Sequence, residues 1–314
     1  MPKYFFHTIL QKTILLYALS MANIGFIGLG VMGEPMCSHL IDKGDKLFVY
    51  TRTKAKASKL IEKGATYLDN PKEVAKNSDI VFTIVGYPKD VYEVYLGKDG
   101  LADGAKNGQL FCDMTTTKPT LEIEISHELS LKGARLVDAP VSGGDVGARN
   151  GTLSIMCGGE KEDIDKLMPF FSALGKNVCH MGPVGSGQHT KMSNQIVIAG
   201  TMAGVSEALV YGASAGLDLN KMVACISKGA AGCWTLDNLA PRVISGNYNP
   251  GFMVDHFIKD MSIVLEESEK MGLSLPSLAL TKQLYVAIQA QGMGKNGTQA
   301  LVKALESLSG KEVL

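Results

Sequence analysis

Short apolar runs alternate with amphipathic segments from Asn23 to about Gly182. IGFIG reads as a buried strand, the residues after it carry apolar side chains at helical spacing, and KLFVY reads as a second strand. Helices are predicted near KAKASKLIEKG and NPKEVAKNS, and further strands at DIVFTIVG, GQLFCDM, ARLVDAP, LSIMCGG and NVCHMG. Strands alternating with helices predict an α/β fold with a parallel, doubly wound sheet, and ligands of such sheets lie at the carboxyl ends of the strands. Near Gly185 the strand pattern stops. GQHTKMSNQ leads into the apolar run IVIAGTMAGVSEALVYGASAGL, and only helical patterns follow. The expected organisation is an extension over residues 1–20, an α/β domain over 21–184, and an all-α domain over 185–314 entered through one long, buried interdomain helix.

The turn after the first strand carries chemistry. Gly28-Leu29-Gly30-Val31-Met32-Gly33 is G-x-G-x-x-G, and its place between a strand and a helix makes it a dinucleotide fingerprint of the Rossmann type. Gly28 permits the tight turn, Gly30 lets the backbone approach a pyrophosphate, and Gly33 lets the helix sit close to the sheet. The second strand ends in Thr51-Arg52-Thr53-Lys54, without the acid that would hold a ribose 2′-hydroxyl. Two hydroxyls and two cations suit a 2′-phosphate, so NADP is the expected cofactor, with NAD possible. The alternative is that Arg52 and Lys54 are ordinary solvated charges at a helix start.

Composition narrows the function further. At about 150 residues per domain, 314 residues suffice for two domains and a cleft. Lys plus Arg and Asp plus Glu both number 31, so no strongly basic face is available for nucleic acid. The cysteines form no C-x-x-C pair and have no histidine at metal-site spacing; neither a zinc site nor a disulfide framework is indicated, and a reducing, cytoplasmic setting fits. Residues 1–20 mildly resemble a targeting signal, but a strand begins directly after Met21, which is the expected start of the fold. The run from Ile196 to Leu217 is long enough to span a bilayer; Glu207 with its Ser, Thr and Gly residues argues for a protein interior instead, and no membrane partner is expected.

Two further stretches can act on a substrate. In DAPVSGGDVG, Ser142-Gly143-Gly144 offers a hydroxyl and consecutive unhindered peptide N–H groups, a nest suited to a carboxylate, or simply a glycine-rich reversal of the chain. In GQHTKMSNQ, Lys191 shares a helix face with Asn194 and Gln195, three and four residues on. Burial there would lower the lysine's pKa toward working pH and make it a proton donor; a lysine snorkelling from a helix end is the alternative.

Taken together, GFIGLGVMGEPM, DMTTT, DAPVSGGDVGARNGTLSIMCGG, GQHTKMSNQ and PGFMVDHFIKD resemble the β-hydroxyacid dehydrogenase family, from about Ala22 to about Leu305. The resemblance implies a Rossmann domain followed by an all-helical one, and hydride exchange between NAD(P) and a small β-hydroxy acid, assembled as a homodimer or homotetramer. It implies that Ser142, Gly143 and Gly144 hold the substrate carboxylate and that Thr116 lies near nicotinamide and substrate. It further implies that Lys191 is catalytic, that Phe252 closes the pocket, and that Lys259 and Asp260 form a pair directed at cofactor and active site. Many members carry Asn four residues after the lysine; here that place is Gln195, and Lys-x-x-Asn-Gln resembles the tartronate semialdehyde (2-hydroxy-3-oxopropionate) reductase branch. That reductase is the leading expectation, with 3-hydroxyisobutyrate dehydrogenase or a glyoxylate/succinic semialdehyde reductase as alternatives. Imine-reducing members generally lack the lysine, and a silent nucleotide-binding protein would have no need of it. Trp234 is expected to limit substrate size, or else to be a core tryptophan.

Overall fold

The computed structural model describes residues 22–312; the expectations for residues 1–20 and Met21 lie outside them. The predicted alternation appears as β1 (Asn23–Ile27), α1 (Gly33–Asp42), β2 (Lys46–Tyr50), α2 (Ser58–Glu62), β3 (Thr66–Tyr67), α3 (Pro71–Asn77) and β4 (Ile80–Thr83). There follow α4 (Pro88–Leu96), α5 (Leu101–Gly104), β5 (Leu110–Asp113), α6 (Pro119–Ser130) and β6 (Arg135–Asp138). The remaining elements of the first unit are β7 (Val141–Ser142), α7 (Gly144–Asn150), β8 (Leu153–Gly158), α8 (Lys161–Leu174) and β9 (Gly175–Gly182).

The sheet runs β3-β2-β1-β4-β5-β6-β8-β7, with β9 paired to β8. From β3 to β6 every pairing is parallel. The order 3-2-1-4-5-6 reverses direction between β1 and β4, the switch point at which dinucleotides bind in this architecture. The parallel, doubly wound sheet is present as expected; beyond β6, β8 runs antiparallel to both β6 and β7. β7 still runs in the direction of β6; the chain reverses only after it, through α7, and comes back as β8 between the two. Two apolar clusters sandwich the sheet, one around Phe26, Phe82, Phe170 and Phe171, the other around Val81, Tyr95, Phe111 and Ile125. Strands covered on both faces read as continuous apolar runs, which is why IVFT and LFCD are buried throughout.

α9 (Ser186–Ser214) is the long helix that opens the helical region. The chain divides into two units within it, one ending at Lys191 and one beginning at Met192. The helix is long and apolar enough to cross a membrane. It is not buried all round as expected: Ser193, Val197, Gly200, Gly204, Glu207 and Tyr211 are exposed and follow one another at steps of three and four residues. Hydropathy summed along a run carries no direction, so an apolar sequence does not reveal an uncovered face.

The second unit continues with α10 (Leu219–Ile226), α11 (Trp234–Asn238), α12 (Ala240–Ile244), α13 (Val254–Lys270), α14 (Pro276–Ile288) and α15 (Val302–Ser309). Its main core gathers Met202, Phe257, Met261, Tyr285 and Leu301. Phe257 stacks edge-on against Tyr285 with ring centroids 5.1 Å apart. Burying aromatic and aliphatic faces of this kind contributes about 2 kcal/mol per side chain, which is what holds helices with no ladder between them.

Candidate active site

The nucleotide turn has the geometry its glycines predict. Gly28 has φ +97°, and a Cβ there would lie 2.0 Å from the carbonyl oxygen of Ile84; one on Gly33 would lie 1.8 Å from the carbonyl oxygen of Gly28. The turn is thus wedged between the ends of β1 and β4, where no side chain fits. At Gly30, by contrast, nothing stands within 4 Å of the place a Cβ would take. That open space at the start of α1, on the positive end of the helix, suits a pyrophosphate. Leu29 is buried beneath the turn, while Val31 is exposed above it and Met32 half-buried. The residues present therefore fit a dinucleotide.

At the end of β2, Thr51 is buried and its carbonyl accepts a hydrogen bond from the Tyr67 hydroxyl at 3.2 Å. Arg52 and Thr53 are exposed. Arg52 is not simply solvated: its Nη1 donates to Asp90 Oδ1 at 2.9 Å, while Asp90 Oδ2 caps α4 by accepting from the Tyr87 N–H at 3.1 Å. Lys54 lies over the Tyr67 ring, 4.8 Å from its centroid. Both cations are oriented by neighbours beside the nucleotide turn.

Thr116 occupies the loop after β5. Thr115 and Thr117 on either side are buried and Thr116 is half-buried. Thr115 is drawn inward by Asp113, whose Oδ1 accepts from the Thr115 hydroxyl at 2.7 Å and from its N–H at 3.0 Å. The alternation of an extended loop then turns Thr116 the other way. Ser142 and Gly144 are half-buried and Gly143 is exposed. Gly143 and Gly144 have φ +129° and +62°, a left-handed pair that a side chain would strain.

Lys191 lies in the second turn of α9 and is 7% exposed. Its helix is held by a polar assembly that sequence reading missed. Asp138, at the end of β6, accepts from the N–H groups of Gly185 and Gln188, both at 2.7 Å. Burial pushes its carboxyl up to about 7, although the two peptide N–H groups oppose that rise. Glu122 on α6 is fully buried, and burial, with the nearby Asp113 and Asp138, raises its carboxyl well above the usual range. Asp138 had a visible signal, directly before the predicted loop; Gln188 and Glu122 had none beyond polar type.

In the second unit, Gln195 is buried and its Nε2 donates to Asp260 Oδ2 at 2.6 Å, while its Oε1 accepts from Asn194 Nδ2 at 2.7 Å. Lys259 Nζ lies 2.9 Å from Asp260 Oδ1. The four predicted residues Asn194, Gln195, Lys259 and Asp260 thus form one chain of contacts. It leaves Asn194, half-buried, as the outer amide and commits Gln195 to the aspartate. Phe252 is half-buried against Phe257, with ring centroids 5.6 Å apart. Trp234 is 59% exposed and is not a core residue.

Residues 23–182 match the family model of the NAD-binding domain of 6-phosphogluconate dehydrogenase. Residues 185–305 match that of the NAD-binding region of NADP-dependent 3-hydroxyisobutyrate dehydrogenase. The chain belongs to the β-hydroxyacid dehydrogenase family. It is 49% identical to the probable 3-hydroxyisobutyrate dehydrogenase-like 1, mitochondrial, of Arabidopsis thaliana, over 94% of this chain and 88% of that one. It is 35% identical to the 2-hydroxy-3-oxopropionate reductase of Escherichia coli, over 91% and 98%. Among solved structures it resembles the Mycobacterium tuberculosis 3-hydroxyisobutyrate dehydrogenase with L-serine, with a TM-score of 0.84, 25% identity and coverage of 91% and 99%. As a member of this family the chain is an NAD(P)-dependent dehydrogenase acting on CH–OH groups.

Proposed function

We propose that this enzyme interconverts a small β-hydroxy acid and its semialdehyde, with NADP preferred over NAD and 2-hydroxy-3-oxopropionate as the leading substrate. The observation that carries the reading is Lys191, a lysine 7% exposed in the second turn of a helix. A buried ammonium has a use where an alkoxide develops: it stabilises the charge and donates the proton, and in the reverse direction it accepts one. The bound nicotinamide supplies or takes the hydride at the carbon that carries this oxygen. Ser142, Gly143 and Gly144 hold the carboxylate, so that the reacting carbon is fixed in place. Thr116 orients the substrate oxygen, Asn194 offers it an amide, Phe252 closes the pocket, and Lys259 with Asp260 meets the cofactor. L-Serine, bound to the M. tuberculosis enzyme, is itself a β-hydroxy acid.

Support for NADP is the oriented pair Arg52 and Lys54 after β2. Support for 2-hydroxy-3-oxopropionate is the Lys-x-x-Asn-Gln spacing; the alternative, 3-hydroxyisobutyrate, draws on the name of the 49%-identical plant relative. The same reading includes a homodimer or homotetramer, supported by Val197 and Tyr211, 62% and 74% exposed on α9, apolar surface that a second copy would cover.

The test is initial rates with 2-hydroxy-3-oxopropionate, methylmalonate semialdehyde, succinic semialdehyde and glyoxylate, each with NADPH and NADH, for the wild type and Lys191→Ala. Turnover of one semialdehyde that collapses in the variant supports the reading. Full activity in Lys191→Ala, or no reduction of any of the four by the wild type, sinks it.

A further inference from the structure

Gln188 has no exposed surface, and every polar atom of its side chain is engaged. Its Nε2 donates to the Thr115 carbonyl at 2.7 Å and to Glu122 Oε1 at 3.2 Å, and its Oε1 accepts from the Thr117 N–H at 3.0 Å. The Thr115 carbonyl and the Thr117 N–H are the peptide groups on the two sides of Thr116. One side chain therefore holds the Thr116 loop in the way a strand neighbour would, with one donation and one acceptance. Its own N–H is the one that donates to Asp138 Oδ2. Lys191 follows three residues later on the same helix, hence on the same side of it.

The surroundings leave Gln188 little freedom. A Cβ on the preceding residue, Gly187, would lie 2.4 Å from the Met156 carbonyl oxygen and 2.7 Å from that of Asp138, so the helix start is pressed onto β6 and β8. Glu122, whose carboxyl burial pushes well above the usual range, lies against Asp113, which in turn accepts from Thr83 Oγ1 at 2.6 Å and from Thr115. Glu122 Oε1 is then an acceptor fixed in space for Gln188. The chain of bonds runs from the ends of β4 and β5, through α6, to the first turn of α9.

We propose that Gln188, backed by Glu122 and Asp138, is the positioning residue of the active site, fixing the distance between the Thr116 loop and Lys191. This rests on the reading that Thr116 and Lys191 serve the substrate. Gln188 touches neither substrate nor cofactor; it acts by registering two elements that do. Misplacement of a reacting group by about 1 Å can cost on the order of a hundredfold in rate, whereas cofactor binding draws on the turn at Gly28 and on Arg52, which Gln188 does not touch.

The experiment measures kcat, KM for the best semialdehyde of the panel, and the NADPH dissociation constant by nicotinamide fluorescence, for wild type, Gln188→Ala, Glu122→Gln, Glu122→Leu and Lys191→Ala. Gln188→Ala is expected to lower kcat roughly 10- to 100-fold with the NADPH constant changed less than about threefold. Glu122→Gln keeps an acceptor for Gln188 and a donor for Asp113, so its kcat stays close to that of the wild type, while Glu122→Leu loses as much as Gln188→Ala. A lowered melting temperature with kcat intact in Gln188→Ala would make the residue merely structural and overturn the inference. If Lys191→Ala is fully active, the catalytic reading fails instead. Should Gln188→Ala not fold, the Glu122 pair decides, and equal kcat in both overturns the proposal. Should no semialdehyde turn over, the readout is the rate at which trinitrobenzenesulfonate modifies Lys191, followed by peptide mass spectrometry. A several-fold change in Gln188→Ala supports the positioning role, and an unchanged rate overturns it.

Discussion

Asp138 and Asp260 are equally buried, at 0% and 1% exposed, and are satisfied in opposite ways. Asp138 faces peptide N–H groups of Gly185 and Gln188. Asp260 faces side chains, the Gln195 amide and the Lys259 ammonium. The first arrangement fixes where a helix begins, because peptide groups cannot move without the backbone. The second fixes where side chains point and leaves the backbone to its apolar core. In the first unit a carboxylate sets the frame for chemistry, and in the second it belongs to the group of polar residues proposed to do it.

Lys191, the last residue of the first unit, gives the largest effect. Lys191→Ala is expected to lower kcat by about 10²–10⁴, the usual range for loss of a general acid, with NADPH affinity little changed. Stopped-flow hydride transfer would measure it. A loss confined to KM would mean that the lysine only binds the carboxylate, and the division between frame and chemistry would have to be redrawn.

Next comes the comparison of the two acids themselves. Asp138→Ala strands two buried N–H groups at about 1–3 kcal/mol each, so urea unfolding at pH 8 should show a loss of about 2–6 kcal/mol. Asp260→Asn retains an acceptor for Gln195 but removes the charge opposite the largely buried Lys259, at a cost of about 2–5 kcal/mol; because it displaces side chains and not the backbone, it should also lower kcat. An Asp260→Asn variant that loses stability but keeps the wild-type kcat would erase the distinction between a carboxylate that builds the backbone and one that organises side chains.

This difference also explains what was legible in the sequence. The glycines of the nucleotide turn could be read because backbone geometry forbids other residues there. Lys191, Asn194 and Gln195 could be read because a polar group in an apolar run contradicts its surroundings. Glu122 could not: in PTLEIEISHEL it stands beside Glu124 and Glu128, which are exposed, and only the packing of α6 sends it inward. Gln188 has the same difficulty, since its partners are peptide groups far away along the chain. The reversal of β8 was hidden as well, because alternation of apolar residues marks a strand and not its direction. Of the two readings of Trp234, the core one fails, because residue type alone overstated its burial.

The frame should also respond to pH. An aspartate in the unfolded chain titrates near 3.8, and Asp138 in the fold at about 7. Between these values the unfolded chain has shed a proton that the fold retains, so the contribution of Asp138 to stability falls as pH rises from about 4 to 7 and is flat above. The difference in unfolding free energy between wild type and Asp138→Asn, in which this titration is absent, should therefore shrink by about 1–3 kcal/mol from pH 5 to pH 8. A difference that stays level or grows would show that the two peptide N–H groups outweigh burial and keep the carboxylate charged.

The smallest effect concerns Arg52, where an acid again sets the position of a functional group. Asp90 uses one oxygen to cap α4 and the other to hold the Arg52 guanidinium, whose side chain remains 73% exposed. An exposed pair of this kind adds at most about 1 kcal/mol to stability, so Arg52→Ala should leave the melting temperature nearly unchanged. Its expected effect falls on the proposed 2′-phosphate contact, for which an oriented guanidinium offers charge-assisted bonds that a ribose hydroxyl cannot equal. KM for NADPH should rise about tenfold, corresponding to ~1.4 kcal/mol, while KM for NADH moves less than about twofold. Equal rises for both cofactors would place Arg52 against the adenine rather than the phosphate. Asp90→Asn sharpens the result: it keeps an acceptor but relaxes the grip on Arg52, and a selective, intermediate loss with NADPH would show that here too a carboxylate acts by placing another residue.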